Sequence, residues 1–263
     1  MSSSEREKII RYYRASGEAE LAAKLIDLAD GAVRGQKYRV SEFLDPYGYS
    51  VAETIKAHYS QLNIEANGGY RGAERVKAAF VDEDFPGSID FGLVAIAVRW
   101  DERYYQISHR DVLGSLMGLG VKRELFGDII MKDGMCQIVA DTAIAPFVLQ
   151  NLHTVGSATV QTEIVDLTAI EPKEEKVKDI RTTVASLRLD TVAAAGFGLS
   201  RTKMAAEIEA DKLKVNWQPA KGAAQTISAG DMISMRGRGR LEVCEIIGQT
   251  RKGRMSILLK RYY

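Results

Sequence analysis

Between residues 171 and 179 the sequence Glu171-Pro-Lys-Glu-Glu-Lys-Val-Lys-Asp179 carries dense charge, one proline and no apolar periodicity, and the character of the chain reverses across it. Residues 181–263 hold 15 Lys/Arg against 7 Asp/Glu, a net of +8; residues 1–180 hold 21 against 28, a net of −7. A stretch of that composition has no apolar face to bury, so 171–180 reads as a linker between separately folded parts. At 263 residues the chain is in any case long for a single core. The overall charge of +1 conceals the split. A basic segment beside an acidic remainder points to a polyanionic partner, which a cationic face binds by releasing condensed counterions.

The remaining bulk properties narrow the class. An apolar fraction of 46% with 27% charged residues is that of a globular protein. The N-terminal residues include acids and run into a helical pattern, and no apolar stretch approaches the ~20 residues of a membrane span, so no membrane role and a cytoplasmic location are expected. Cys136 and Cys244 read as two reduced thiols.

An α+β architecture in three parts follows from the periodicities. Residues 1–72 read as a helical N-terminal domain. Ser4 with Glu7 fits a capping box, Ile9, Ile10, Tyr13, Leu21, Leu25, Ile26 and Leu28 recur near helical spacing, and Gly17 divides the stretch in two. Asp45-Pro46 is a cap and first position for a helix carrying Val51, Ile55 and Tyr59. Over 73–170 the period shortens. Strands are expected within 91–100, 128–131, 137–140 and 159–165, helices over 109–117 and 142–152, and a hairpin turn at Asp133-Gly134. The order strand, helix, hairpin, helix, strand is that of a ferredoxin-like sandwich, the topology of RNA-recognition domains, but the aromatic-rich signature that stacks bases is missing. Residues 181–263 form the third, basic domain.

In that domain Ser200 suits an N-cap for a helix through Met204, Ala205 and Ile208, with Arg201 and Lys203 in its first turn. Cations there oppose the helix dipole, a cost relieved when a phosphate joins the same terminus. Lys212 and Lys214 alternate with Leu213 and Val215, so a strand projects them to one side. Arg236, Arg238 and Arg240, spaced by glycines, read as another one-sided row.

These spaced elements resemble the S4 domain, a small RNA-binding module of a ribosomal protein, tyrosyl-tRNA synthetases and pseudouridine synthases. Asp211 stands where the usual pattern has glycine, and Trp217 follows Asn216 where many S4 domains have glycine. The motifs Gly68-Gly-Tyr-Arg-Gly-Ala-Glu-Arg75, His109-Arg-Asp-Val-Leu-Gly-Ser-Leu-Met-Gly-Leu-Gly-Val-Lys-Arg-Glu124 and Gly127-Asp-Ile129 make nearly the whole chain similar to YlmH-type proteins. The resemblance implies a helical N-terminus, an RRM-like middle and a C-terminal S4 domain. It also implies a non-catalytic factor that binds large ribosomal subunits obstructed by peptidyl-tRNA, in ribosome-associated quality control; separately, a monomer is the favoured state. Expected partners are structured RNA (rRNA, and tRNA with it) and the large subunit. The expected RNA-contact residues are Arg188, Ser200, Arg201, Lys203, Lys212, Lys214, Asn216, Lys221, Arg236, Arg238 and Arg240. His109, Arg110, Lys122 and Arg123, which border one predicted helix, form a second candidate contact.

Other chemistries fit poorly. His109-Arg-Asp111 copies the start of a kinase catalytic loop, yet Leu116 stands where that loop needs Asn. Arg188-Leu-Asp190 resembles the tripeptide around the catalytic Asp of pseudouridine synthases, which makes an RNA-modifying enzyme anchored by S4 the rival reading. Too little chain follows Asp190 for a synthase domain, so that Asp reads as a pairing or capping acid. His58, His109 and His153 show no ligand spacing with the cysteines, and no metal or cofactor is expected.

Overall fold

The computed structural model describes residues 2–262 except 15, 36 and 173–175, in two units, Met1–Lys173 and Glu174–Tyr263. The first unit begins with α1 (Ser3–Arg14) and α2 (Ala19–Gly35), with Gly17 at φ +80° in the link between them. The cap lies two residues earlier than the apolar pattern suggests. Ser2 and Glu5, not Ser4 and Glu7, exchange the reciprocal bonds: the Glu5 N–H donates to Ser2 Oγ (3.3 Å) and the Ser2 N–H to the Glu5 carboxylate (3.0 Å). Asp45 accepts from the Gly48 N–H at 2.8 Å and starts α3 (Pro46–Lys56) with proline at its first position.

The segment read as helical also contains strands. β1 (Tyr38–Leu44) and β2 (Leu62–Asn67) flank β3 (Val76–Asp82) in an antiparallel sheet, so the boundary expected at 72 falls inside one folded layer. Leu25, Ile26, Val51, Ile55, Leu62 and Phe80 form its core with the three helices. Each such side chain, fully buried, contributes about 1.5–3 kcal/mol.

The rest of the unit has β4 (Leu93–Arg99), α4 (His109–Gly118), β5 (Phe126–Lys132), β6 (Met135–Asp141), α5 (Ala145–Asn151), the short ribbon β7 (Thr154–Val155) and β8 (Ala158–Thr159), and β9 (Gln161–Val165). Its strands lie in the order β5-β6-β4-β9, all antiparallel, which is the sheet of the ferredoxin-like sandwich expected from the order of elements along the chain. The Asp133-Gly134 turn closes the β5–β6 hairpin with Gly134 at φ +68°. Ile96, Val98 and Ile138 meet Val112, Leu116 and Val148 of the helices. The centre of the other face of this sheet is covered. Ala95, Ala97 and Val139 are fully buried there, Phe43 of β1 and Ile170 pack on it, and the Gln137 amide donates to the Ala169 carbonyl at 2.8 Å.

The second unit contains β10 (Val177–Val184), α6 (Leu189–Phe197), α7 (Arg201–Glu209), β11 (Leu213–Val215), β12 (Gln218–Pro219), β13 (Met232–Met235), β14 (Gly239–Gln249) and β15 (Met255–Tyr262). The antiparallel sheet runs β10-β15-β14-β13-β11-β12. Residues 177–180, read as linker, are the start of β10, paired from Val177↔Tyr262 onward with the last strand. Of the expected linker, 173–175 lie outside the described residues. Leu189, Val192 and Phe197 of α6 and Met204 and Ile208 of α7 pack on Leu213, Ile233, Leu241, Val243 and Leu259 of the sheet. Gly198, at φ +68°, ends α6 in the left-handed cap that glycine adopts without strain.

Candidate nucleic-acid interface

The joint between α6 and α7 is organised around one carboxylate. Asp190, whose side chain is 5% exposed, accepts from Arg188 Nε (3.2 Å) and Nη2 (3.1 Å), from Thr191 Oγ1 (3.0 Å) and from Arg201 Nε (3.0 Å). Burial alone would raise its pKa. The donors from Arg188, Arg201 and Thr191 outweigh that and hold it down at about 2. Both arginines keep an outward edge, with side-chain exposures of 40% and 57%. Ser200 caps α7 by accepting the Lys203 N–H at 3.3 Å, so its hydroxyl serves the helix, while the Lys203 side chain stands in solvent. Arg201 is therefore the partner of a buried charge, whereas Lys203 is a solvated side chain.

The other cations fall in separate places. Leu213 and Val215 are buried and Lys214 is exposed, as the alternation requires. Lys212, just before β11, pairs with Glu207 at 2.6 Å. Lys214 lies opposite Ser234, and Ser234 opposite Arg240, so Lys214 and Arg240 share a sheet face two strands apart. That face is the one turned away from α6 and α7, because the neighbouring residues Leu213, Val215 and Leu241 point to the helices. Arg236, Arg238 and Arg240 do not form a row along one strand. Arg236 and Arg238 lie in the turn between β13 and β14, where Gly237 and Gly239 take φ +75° and +84°, and only Arg240 is on the strand. The Arg236 N–H donates to the Lys212 carbonyl at 3.0 Å, which brings that turn beside the start of β11.

Asn216 is committed to the fold. Its amide donates to Asp231 (2.8 Å) and accepts the Met232 N–H (2.9 Å). Asn216 and Trp217, at φ +50° and +64°, form the two-residue turn joining β11 to β12. Both central residues at positive φ define a type I′ hairpin turn, where asparagine is favoured and tryptophan is an outlier. Asp211 also takes a left-handed conformation, φ +52°. Lys221 follows on the exposed loop.

In the first unit the second candidate set is divided. Ser108 and Asp111 form a capping box at the start of α4, where His109 and Arg110 are exposed. Arg123 donates to the Phe126 and Gly127 carbonyls (Nη2 to Gly127 at 3.1 Å), and desolvation, then repulsion from Arg75, lowers it to about 10. Desolvation and then Arg123 also lower His109. Arg123 thus holds backbone, whereas Lys122 remains exposed. The 68–75 and 127–129 motifs, more than 50 residues apart, meet at one carboxylate, a contact that neither motif announces. The Asp128 carboxylate accepts from the Tyr70 hydroxyl (2.8 Å) and from the N–H groups of Glu74 (2.7 Å) and Arg75 (3.2 Å). Among the described residues no group of three His, Cys, Asp or Glu side chains could hold a metal ion, and no helix is long and apolar enough to cross a membrane.

An α6–α7 pair on this sheet with Arg188, Arg201 and Lys203 at its joint, in a chain that also holds a ferredoxin-like unit, defines an RNA-binding protein built on an S4 domain. Residues 187–233 match the S4 domain family, and 86–169 match the family described as "Putative RNA-binding domain in YlmH". The ribosome-associated protein quality control protein P2 of Bacillus subtilis (strain 168) is 33% identical over 226 residues, which cover 86% of this chain and 88% of that protein. The chain belongs to the YlmH family of S4-domain proteins. Its fold is also similar to the structure of the cell division protein YlmH from Streptococcus pneumoniae, with a TM-score of 0.51 at 19% identity, covering 59% of this chain and 95% of that one.

Proposed function

We propose that the chain is a non-catalytic, cytoplasmic factor that binds rRNA, and tRNA with it, on the large ribosomal subunit through its S4 unit. It would act as a monomer in the quality control of stalled peptidyl-tRNA. The observation that carries this reading is the outward display of Arg188, Arg201 and Lys203 around the capped start of α7, on a chain related across most of its length to a protein named for ribosome-associated quality control. Phosphate contacts of this kind position a structured RNA without reading its bases. The rival reading, an RNA-modifying enzyme with Asp190 as its catalytic acid, is disfavoured because Arg188, Thr191 and Arg201 already occupy that carboxylate.

Sedimentation of the tagged protein through a sucrose gradient, with sequencing of crosslinked RNA, tests the proposal. Co-migration with free large subunits and crosslinks to large-subunit rRNA are expected. A protein that stays at the top of the gradient, crosslinked to one discrete RNA or to none, would overturn it.

A further inference from the structure

RNA-recognition domains take their ligand on the open face of the sheet, where exposed aromatic rings stack on bases. Here that face carries Ala95, Ala97, Gln137 and Val139, none of them exposed, beneath Phe43 and the backbone of Ala169 and Ile170. The centre of that face, where an RNA-recognition domain stacks its bases, is therefore not open to RNA.

We infer that the loop over residues 68–75 is a preformed RNA-docking loop whose Arg71 takes a backbone phosphate of structured RNA. The loop is held at both feet. Asn67 accepts the Gly69 N–H at 2.8 Å, and the Asp128 carboxylate accepts from Tyr70, Glu74 and Arg75. The Arg75 guanidinium continues the anchorage by donating to the carbonyls of Phe126 (3.1 Å) and Phe43 (2.9 Å). Glycine is required at the base, because a Cβ on Gly68 would strike Ala73 and the Arg75 carbonyl, and one on Gly69 would meet Val139. At the tip the geometry is the reverse. Gly72 turns at φ +87° with open space around it, and the exposed Arg71 side chain makes no hydrogen bond or ion pair among the described residues.

A rigid support under an uncommitted guanidinium is the arrangement that lowers the entropy cost of binding. Arginine suits phosphate in particular, through its planar fork of donors. The acids Asp128 and Glu74 lie at the foot of the loop, and Arg71 carries the cation at its exposed tip. The inference rests on the reading that the chain binds ribosomal RNA, but it concerns a contact separate from the S4 unit.

The test uses the full chain and purified large ribosomal subunits. Arg71→Glu should weaken binding about tenfold, the size expected when a charge-assisted hydrogen bond is lost. It should reduce the salt slope by about one phosphate's worth and leave the melting temperature unchanged, while Arg71→Lys keeps most of the affinity. The photo-crosslinker p-benzoylphenylalanine placed at position 71 should capture rRNA. Lys203→Glu, in the S4 unit, serves as the control. If Arg71→Glu binds like wild type while Lys203→Glu is weakened, the docking loop is overturned and the S4 reading stands. If neither variant loses affinity, both fall. Capture of a ribosomal protein from position 71 would overturn the choice of RNA as the ligand.

Discussion

The Lys77 ammonium lies 2.6 Å from the Asp141 carboxylate, joining the central strand of the three-stranded sheet to β6 of the four-stranded one. Lys77 is almost fully buried, donates also to the carbonyls of Phe91 (2.9 Å) and Gly92 (3.3 Å), and sits 5.4 Å from the centre of the Phe43 ring. Removing one member of such a pair strands the other, at a cost of roughly 3–5 kcal/mol. Lys77→Met should therefore destabilise the first unit by that order in urea denaturation. Lys77→Met combined with Asp141→Leu should recover part of the loss. A single variant within about 0.5 kcal/mol of wild type, the range usual for surface substitutions, would show that the pair contributes little.

Asp190 predicts a pH dependence. Its carboxyl is held at about 2, below its ordinary value of 3.8, so the charged form favours the fold. That contribution, about 2 kcal/mol for such a shift, is complete above the ordinary carboxylate pKa and is lost as pH falls through the folded value. Denaturation of wild type and Asp190→Asn should differ at neutral pH, and the gap should narrow between about pH 4 and pH 2. A gap that stayed constant across that window would mean another group is responsible.

The two cations at the start of α7 should separate under mutation. Arg201→Glu sets a second carboxylate against buried Asp190, and its melting temperature should fall clearly along with RNA affinity. Lys203→Glu changes only a solvated side chain, so affinity should fall while the melting temperature holds. Thermal melts beside binding assays check this, and equal melting temperatures for the two variants would contradict the ion-pair geometry.

Gly196 lies inside α6, where a Cβ would collide with the side chain of buried Leu241 on β14. Gly196→Ala gains helix propensity but overpacks the core, and a net loss of roughly 1–3 kcal/mol is expected. Adding Leu241→Ala should recover part of it by opening the space. Failure of that second change to help would place the strain elsewhere.

Features set by local chemistry could be read from the sequence. The Asp45 and Ser200 caps, the Asp133-Gly134 turn, the break at Gly17 and the helix–hairpin–helix order all depend on residues within a few positions of each other. Features set by pairing across the chain could not. β1 and β2 lie among helices and take their central partner from 76–82, past the expected boundary. The charged residues Lys178 and Asp179 looked like linker because β10 is an edge strand, recognised only through its pairing with the last strand. The site shows the same division. The alternation of Lys214 with buried neighbours was visible, whereas the bond from Arg201 to Asp190 and the meeting of Tyr70 with Asp128 span folds of the chain that no periodicity reports.

The covered sheet face depends on very little volume. Two alanines, Ala95 and Ala97, leave room for the 3-10 turn Leu167–Ala169 and Ile170 to lie where rings would otherwise stand. Larger side chains at those two positions would push against that segment and open the small core beneath it while leaving the strand order in place. Within one topology, then, the choice between a domain that reads bases across its sheet and one that uses the sheet as a foundation for loops comes down to a few methyl groups.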